Sequence, residues 1–404
     1  MINCFLLYPE LLGLTSFIRV RVGVGVGSVS TVTSTRRTKV SKGRRAGAAA
    51  TMALTAAAMG WEGVEDRLAR MVTEVNLDQA PERRRVRDAF KIIQLGIDHC
   101  LFKAQYLGIR MEESYEVNSR GIEIFKKSWF PEHCRLKGLV CFCHGYGDTC
   151  TFFFEGISKK IASAGYGVFA MDYPGFGLSE GLHGYIPSFD LLVDDVIECF
   201  SRIKENPEYQ GLPSFLFGQS MGGAVALKVH FKQPCFWDGA ILVAPMCKMA
   251  DNVVPPWPVQ QILICMAKVL PRVKLVPQKD LAEMAFKDIK KRKQCSYNVI
   301  AYKDKPRLRT ALEMLKTTQE IERRLEEVSL PMIILHGEAD VVTEPSVSKA
   351  LHEKASSSDK KIHLYEGAYH SILEGESDEM IFKVLDDIIS WLEEQCRKRY
   401  TESS

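Results

Sequence analysis

Past residue 60 the chain alternates short apolar runs with stretches of helical periodicity. Charged and apolar residues trade places at helical spacing from Trp61 to Asn76. Pro81 then opens a second helix, as proline does at a first helical position. Val86, Ala89, Ile93, Ile97 and Leu101 recur at three- and four-residue spacing and form its apolar stripe. Arg83, Arg84, Arg87 and Lys91 lie on the opposite face, so the segment reads as a helix packed on the body or on a partner. Glu113–Asn118 and Ile122–Phe130 read as strands joined by the turn Asn118-Ser119-Arg120-Gly121. Leu139–Cys143, Tyr166–Met171, Pro213–Phe217, Gly239–Ala244, Leu330–His336 and Lys361–Tyr365 are further strand-like runs. Helical segments, among them Phe152–Ala164, Ser188–Lys204 and Ala224–Val229, separate several of them. This alternation predicts an α/β protein: a mostly parallel central sheet with helices on both faces.

The rhythm breaks once. One strand ends near Ala244 and the next core strand begins only near Leu330, far beyond the usual connection of about two to six residues. The gap holds Pro255-Pro256-Trp257-Pro258, a hard stop, followed by Ile262, Leu263, Met266, Val269 and Leu270 at helical spacing. Met314, Leu315 and Ile321 continue a later helix that returns to the sheet. A helical cap over 246–305 is therefore expected, mobile and apolar enough to suit a substrate with a hydrophobic part. It divides the core into 111–245 and 306–396, with a helical segment at 61–110 before them and a tail at 397–404 after them.

Charge changes the picture at the N-terminus. The formal net charge is +3, from 53 Lys and Arg against 50 Asp and Glu. Eight basic residues and one acid fall in the first sixty positions, leaving 45 basic and 49 acidic residues beyond them. That weakly acidic body carries no electrostatic footprint for nucleic acid. Lys287-Asp288-Ile289-Lys290-Lys291-Arg292-Lys293 reads as a solvated face. From Leu11 to Trp61 there is no acidic residue, and Ser, Thr and Arg abound. Residues 1–60 are therefore expected to be a chloroplast transit peptide. A start at Met52 or Met59 would instead imply a cytoplasmic protein. The 12 cysteines include no C-x-x-C, and Cys141 and Cys143 are expected to share one face of a strand as small hydrophobes. No uninterrupted apolar run approaches the roughly 18 residues of a membrane span.

The candidate chemistry centres on Gly218-Gln219-Ser220-Met221-Gly222-Gly223, a Gly-x-Ser-x-Gly between an apolar run and a helix-forming segment. That context is a nucleophile elbow: a strained turn lifts the Ser220 hydroxyl clear of the sheet, and Gly218 and Gly222 give the clearance. Upstream, a strand ends in His144-Gly145-Tyr146-Gly147-Asp148. Gly145 and Gly147 let that loop turn its N–H groups inward, so the amides of Tyr146 and Met221 are the expected oxyanion donors. His144 reads as a structural histidine. A serine needs a base and the base needs an orienting carboxylate, in the chain order Ser, acid, His. Asp340 follows a strand end, with Glu338 two residues away as the alternative acid, and His370 occupies the equivalent loop thirty residues on. Ser179 is a second conceivable nucleophile without an elbow around it. His336 and His363 read as buried, hydrogen-bonded histidines. No H-E-x-x-H and no spaced His/Cys cluster supports a metal, and no cofactor is expected.

Taken together, His144-Gly145-Tyr146-Gly147, Asp172-Tyr173-Pro174-Gly175-Phe176-Gly177, the elbow, the Asp340 loop and Gly367-Ala368-Tyr369-His370-Ser371 resemble monoacylglycerol lipases of the α/β-hydrolase superfamily. The resemblance is closest to the plant branch with caffeoylshikimate esterase and lysophospholipase-like members, and covers about Glu112 to the C-terminus. It implies a capped serine esterase with Ser220, Asp340 and His370 as its triad. The implied substrate is a small amphipathic ester: a monoacylglycerol, with a lysophospholipid or phenolic ester as the alternative. Transient membrane contact through the cap follows from the same resemblance. Some relatives add acyltransferase activity linked to H-x-x-x-x-D, a pattern absent here. A different class, a receptor of this fold with little turnover, is disfavoured by the intact triad.

Overall fold

The structure is a computed structural model, described for residues 61, 64–248, 256–276 and 280–402. The leader expected over residues 1–60 lies outside the described residues, as does Pro255. Among the described residues three helices come first: α1 (Asp66–Glu74), α2 (Ala80–Leu95) and α3 (Cys100–Lys103). The stripe drawn from Val86 to Leu101 is thus split between α2 and α3, because the chain leaves the helix at Gly96.

One sheet has eight strands: β1 (Ile109–Val117), β2 (Glu123–Pro131), β3 (Gly138–Cys143), β4 (Tyr166–Met171), β5 (Ser214–Gln219), β6 (Gly239–Val243), β7 (Met332–Gly337) and β8 (Lys360–Tyr365). Their order is β1-β2-β4-β3-β5-β6-β7-β8, with the pairs involving β2 antiparallel and the rest parallel. From β3 the chain steps to β4 on one side and then returns to β5 on the other. Open α/β sheets bind their ligands outside the carboxyl ends of strands at such a reversal.

Why these runs become strands follows from the two faces they must cover. Leu139, Cys141 and Cys143 of β3 enter one core, and Val140 and Phe142 enter the other, as a two-residue period requires. Cys141 and Cys143 do share a face. All six residues of β3 are buried, which is why the run is apolar throughout rather than alternating. The first core packs α4 (Phe153–Ser163) against the sheet, through Phe154, Ile157 and Ile161. The second packs α5 (Phe189–Lys204) and α6 (Met221–Lys232), through Val193, Val196, Val225 and Leu227. Each fully buried Phe, Leu or Val side chain contributes about 1.5–3 kcal/mol. Edge strand β1 is mostly exposed and bears Arg110, Glu112, Glu113 and Glu116, charges that discourage pairing with another chain.

Between β6 and β7 lie α7 (Trp257–Val269), α8 (Leu281–Ala285), α9 (Ile289–Cys295) and α10 (Leu308–Arg323). After β7 come α11 (Pro345–Lys354) and α12 (Asp378–Glu402), the latter running into the stretch expected as a tail. The insertion has two unlike parts. α7 leaves Trp257, Ile262 and Val269 exposed. The stretch from α8 to Tyr302 is instead bonded to the body: Ser371 N–H donates to Ala285 O at 3.0 Å, Asp288 N–H to Gly375 O at 3.0 Å and Tyr302 N–H to Gly147 O at 2.7 Å. A cap that is mobile as a whole does not fit those bonds.

The basic stretch 287–293 differs from the solvated face read in the sequence, and the basic face of α2 is also buried in part. Within 287–293, Lys291 is buried and its ammonium meets Glu376 O and Asp378, while Lys287 donates to Gly367 O at 2.6 Å. On α2, Arg83 is fully buried: Nε donates to Gly177 O and Nη2 to Ser179 O, each at 2.6 Å, and Nη1 to Leu77 O at 2.9 Å. Burial pulls its pKa down to about 10. Arg87, also buried, meets Glu113 at 2.5 Å. The loop after β4 covers this face and offers carbonyls that need donors, and a planar guanidinium can satisfy several at once. His363 is not buried either; it lies 3.4 Å from Asp387 with its side chain 39% exposed.

Candidate active site

Ser220 stands between β5 and α6 at φ 54° and ψ −118°, a left-handed conformation costing about 1–3 kcal/mol for a residue with a side chain. Its surroundings over-determine it. Ser220 N–H donates to Val243 O, and Ser220 O accepts from Gly223 N–H and Met246 N–H, all at 2.9 Å. The turn is so tight that a Cβ on Gly222 would sit 1.8 Å from Cys143 O, and one on Gly218 2.4 Å from Gly222 O. Close approach therefore demands both glycines. In the loop after β3, Gly147 has φ +78°, and a Cβ there would meet Tyr302 O at 2.6 Å. Gly145 is different: its Cβ would lie an ordinary 3.5 Å from Ser220 Cβ. Space alone does not require glycine at 145, but the contact shows how closely this loop lies against the elbow.

The structure brings the three side chains together from 150 and 30 residues apart. Ser220 Oγ is 3.0 Å from His370 Nε2, and His370 Nδ1 is 2.6 Å from Asp340 Oδ2. Between the two candidate acids the geometry is decisive, because Glu338 is exposed at the surface. Asp340 is fully enclosed and heavily solvated by protein donors. Oδ1 accepts from Val342 N–H at 2.7 Å and Thr343 N–H at 3.1 Å. Oδ2 also receives the Thr343 hydroxyl at 2.9 Å and His336 Nε2 at 3.0 Å. Burial alone would raise the Asp340 pKa, but the charge of His370 and hydrogen bonds from His336 and His370 hold it well below the carboxylate range. For His370 the balance runs the other way: burial lowers its pKa, yet the adjoining Asp340 and then Glu374 leave it raised above 6.5.

Tyr146 and Met221 flank this centre. Met221 opens α6, where the first N–H groups have no intrahelical acceptor. Neither the Tyr146 nor the Met221 N–H donates to another backbone carbonyl among the described residues. His144 faces away and ties the loop down, with Nδ1 2.8 Å from Gly145 O and Nε2 accepting from Tyr173 N–H at 3.2 Å. Ser179 is fully buried, its hydroxyl donating to Asp172 O at 2.6 Å and accepting from Phe125 N–H at 2.9 Å. No approaching ester could reach it.

Sequence reasoning gave the other polar residues at the centre no part in the site, although His336 is the buried, hydrogen-bonded histidine it expected. Thr343 Oγ1 is 3.1 Å from His370 Nδ1 and 3.1 Å from Ala244 O. His336 reaches Asp340 on one side and Ser348 Oγ, at 2.7 Å, on the other. Asp148 accepts from Asn298 Nδ2 at 3.2 Å, and burial lifts its pKa to about 7. Glu374 accepts from Gln219 Nε2 at 2.8 Å and is likewise lifted to about 7, by burial and then by the charge of Asp148. Asp148 and Glu374 each lie within five positions of a residue already singled out, which was the only signal available. Among the described residues no group of His, Cys, Asp or Glu could hold a metal.

Comparison with known proteins identifies the family. A family model described as serine aminopeptidase S33, of the Hydrolase_4 family, matches residues 135–378. Caffeoylshikimate esterase of Arabidopsis thaliana is 35% identical over 292 residues, covering 72% of this chain and 88% of that protein. Monoglyceride lipase of Mus musculus is 29% identical over 283 residues, 68% of this chain and 88% of the relative. Among solved structures, a soluble variant of monoglyceride lipase from Saccharomyces cerevisiae, bound to a substrate analogue, superposes with a TM-score of 0.64. That match is 22% identical and covers 72% of this chain and 97% of the other, which speaks to the fold. With its elbow, its mostly parallel sheet and a family match across more than half of its length, the chain belongs to the Hydrolase_4 family of α/β-hydrolases and is a serine hydrolase of carboxylic esters.

Proposed function

We propose that the chain cleaves monoesters of the monoacylglycerol type through an acyl-enzyme on Ser220. The observation that carries this is the hydrogen-bonded line from Ser220 Oγ through His370 to Asp340, at 3.0 and 2.6 Å. Ser220 Oγ attacks the ester carbonyl while His370 Nε2 takes its proton. The oxyanion is received by the N–H groups of Tyr146 and Met221, each worth about 2.7–4 kcal/mol in the transition state. Collapse expels the alcohol, which takes the proton from His370. Water then attacks the acyl group with His370 again as base, releasing the acid and restoring Ser220. Asp340 keeps the Nδ1 proton in place and stabilises the imidazolium, without itself accepting a proton.

The acyl side of the substrate is read from α7. Its exposed Trp257, Ile262 and Val269 suit an apolar chain delivered from an aggregate or a membrane surface. A second reading, a phenolic ester, is favoured by the 35% identity to caffeoylshikimate esterase. One assay separates them: monoacylglycerol, lysophospholipid, caffeoylshikimate and an aminoacyl anilide, each offered to the purified protein. Monoacylglycerol is expected to turn over fastest, with Trp257→Ser slowing attack on vesicle-borne but not on monomeric substrate. Turnover confined to caffeoylshikimate, or to the anilide, would refute the monoacylglycerol assignment.

The acid side of the pH profile carries a further expectation. His370 works as a base only when neutral, and Asp340 and Glu374 raise its pKa above 6.5. The rate kcat/KM should therefore fall as pH drops through a value above 6.5. An acid limb centred below 6.5 would contradict that charge environment.

A further inference from the structure

Glu374 follows His370 by four residues and joins three parts of the molecule that are remote in sequence. Its carboxylate oxygen Oε1 accepts from Nε2 of Gln219, the residue before Ser220, at 2.8 Å. Its backbone carbonyl lies 3.0 Å from Nε2 of His99. The other His99 nitrogen, Nδ1, accepts from Leu101 N–H at 3.2 Å as α3 begins. With Nδ1 an acceptor, the ring proton must sit on Nε2 and point at the Glu374 carbonyl. His99 is 1% exposed, and burial lowers its pKa to about 4, so the ring is neutral near pH 7. His99 also lies outside residues 135–378, the span matched by the family model.

The loop from His370 to Gly375 is short and closed on itself, with Glu374 N–H donating to Ser371 O at 3.2 Å and Gly375 N–H to the same oxygen at 2.6 Å. A displacement of Glu374 is therefore transmitted to His370 within one turn of chain. We propose that Glu374, gripped by His99 from the N-terminal segment and by Gln219 from the nucleophile strand, is a positioning residue that sets the Ser220–His370 contact. The N-terminal segment then takes part in catalysis by bracing, through a histidine that never meets the substrate. This rests on Ser220 and His370 acting as nucleophile and base.

A misplacement of about 1 Å between reacting groups can cost on the order of 100-fold in rate. The loss should fall on kcat rather than KM, because the brace orients the base and not the substrate. Glu374 is faced by His370 and Ser371 of its own loop, Gln219 of β5, Asp148 of the loop after β3, Cys295 of α9 and His99. Its charge helps to raise the His370 pKa, so removing the charge should move the acid limb to lower pH.

The test is hydrolysis of p-nitrophenyl butyrate by the full chain and by Glu374→Ala, Glu374→Gln and His99→Asn, normalised to sites labelled by a fluorophosphonate, with Ser220→Ala compared at equal protein concentration. Glu374→Ala should lower kcat per labelled site about 10- to 100-fold with KM within about twofold. Glu374→Gln keeps an acceptor for Gln219 and should recover most of that loss, while both variants move the acid limb down. Asparagine at 99 can still cap α3 but is too short to reach the Glu374 carbonyl, so His99→Asn should lower kcat without moving the limb. A kcat per site within about twofold of the parent in both Glu374→Ala and His99→Asn overturns the proposal, as does a change confined to KM. If Glu374→Ala does not fold, His99→Asn alone decides. Turnover retained by Ser220→Ala would instead overturn the assignment of the nucleophile.

Discussion

Replacing Ser220 by alanine is expected to lower ester turnover about a millionfold, the scale of losing a triad nucleophile, and to abolish labelling by a fluorophosphonate. The fold should be unaffected. The turn is held by backbone bonds at Ser220 N and O, which alanine keeps, and both residue types bear the same left-handed strain. The Oγ meets His370 alone among the side chains described. Circular dichroism and a melting curve next to the rate measurement would separate chemistry from folding. Turnover within tenfold of the parent, in a protein that melts normally, would remove Ser220 from the mechanism.

Asp340→Asn should cost about 10,000-fold in kcat, because the defect is one of tautomer rather than of shape. The site now presents four donors to Asp340 besides His370: two backbone N–H groups, the Thr343 hydroxyl and His336 Nε2. An asparagine side chain has one oxygen and one NH2 group. With its oxygen kept on the two backbone N–H groups, its NH2 meets Thr343 and both histidines, where acceptors are needed. His370 Nδ1 must then accept, its proton moves to Nε2, and Nε2 can no longer take the Ser220 proton. The same substitution removes the charge that raises the His370 pKa, so the residual activity should have its acid limb at lower pH. A proton NMR signal showing the His370 proton still on Nδ1 in Asp340→Asn, or a rate loss under about tenfold, would tell against this account.

How much of this was legible beforehand depended on what each signal measures. The strands of the sheet were readable because burial on both faces forces continuous apolar runs, and β3, β4 and β5 are such runs. The elbow and the loop after β3 were readable because tight turns demand glycine, and the crowding at Gly218 and Gly222 confirms that demand. Lys291 was misread as solvated because charge in a helical pattern says nothing about what covers that face, and the same pattern left open what covers Arg83. At Arg83 the cover is a loop whose sequence lies some ninety residues away. Likewise, the apolar spacing of 246–305 foretold helices but could not tell the exposed α7 from the segment bonded to the His370 loop.

The sequence by itself determined the α/β class, the elbow at Ser220 and the order in which an acid and a histidine follow it. Those features are local: a hydrophobic period, a glycine turn and a strand end each leave their mark within a few residues. Only the tertiary structure decided between Asp340 and Glu338, surrounded Asp340 with His336 and Thr343, and placed Glu374 between His99 and Gln219. Hydrogen bonds at about 3 Å depend on how distant elements dock. Docking is set by the shape of the packed cores, which no short stretch of sequence contains.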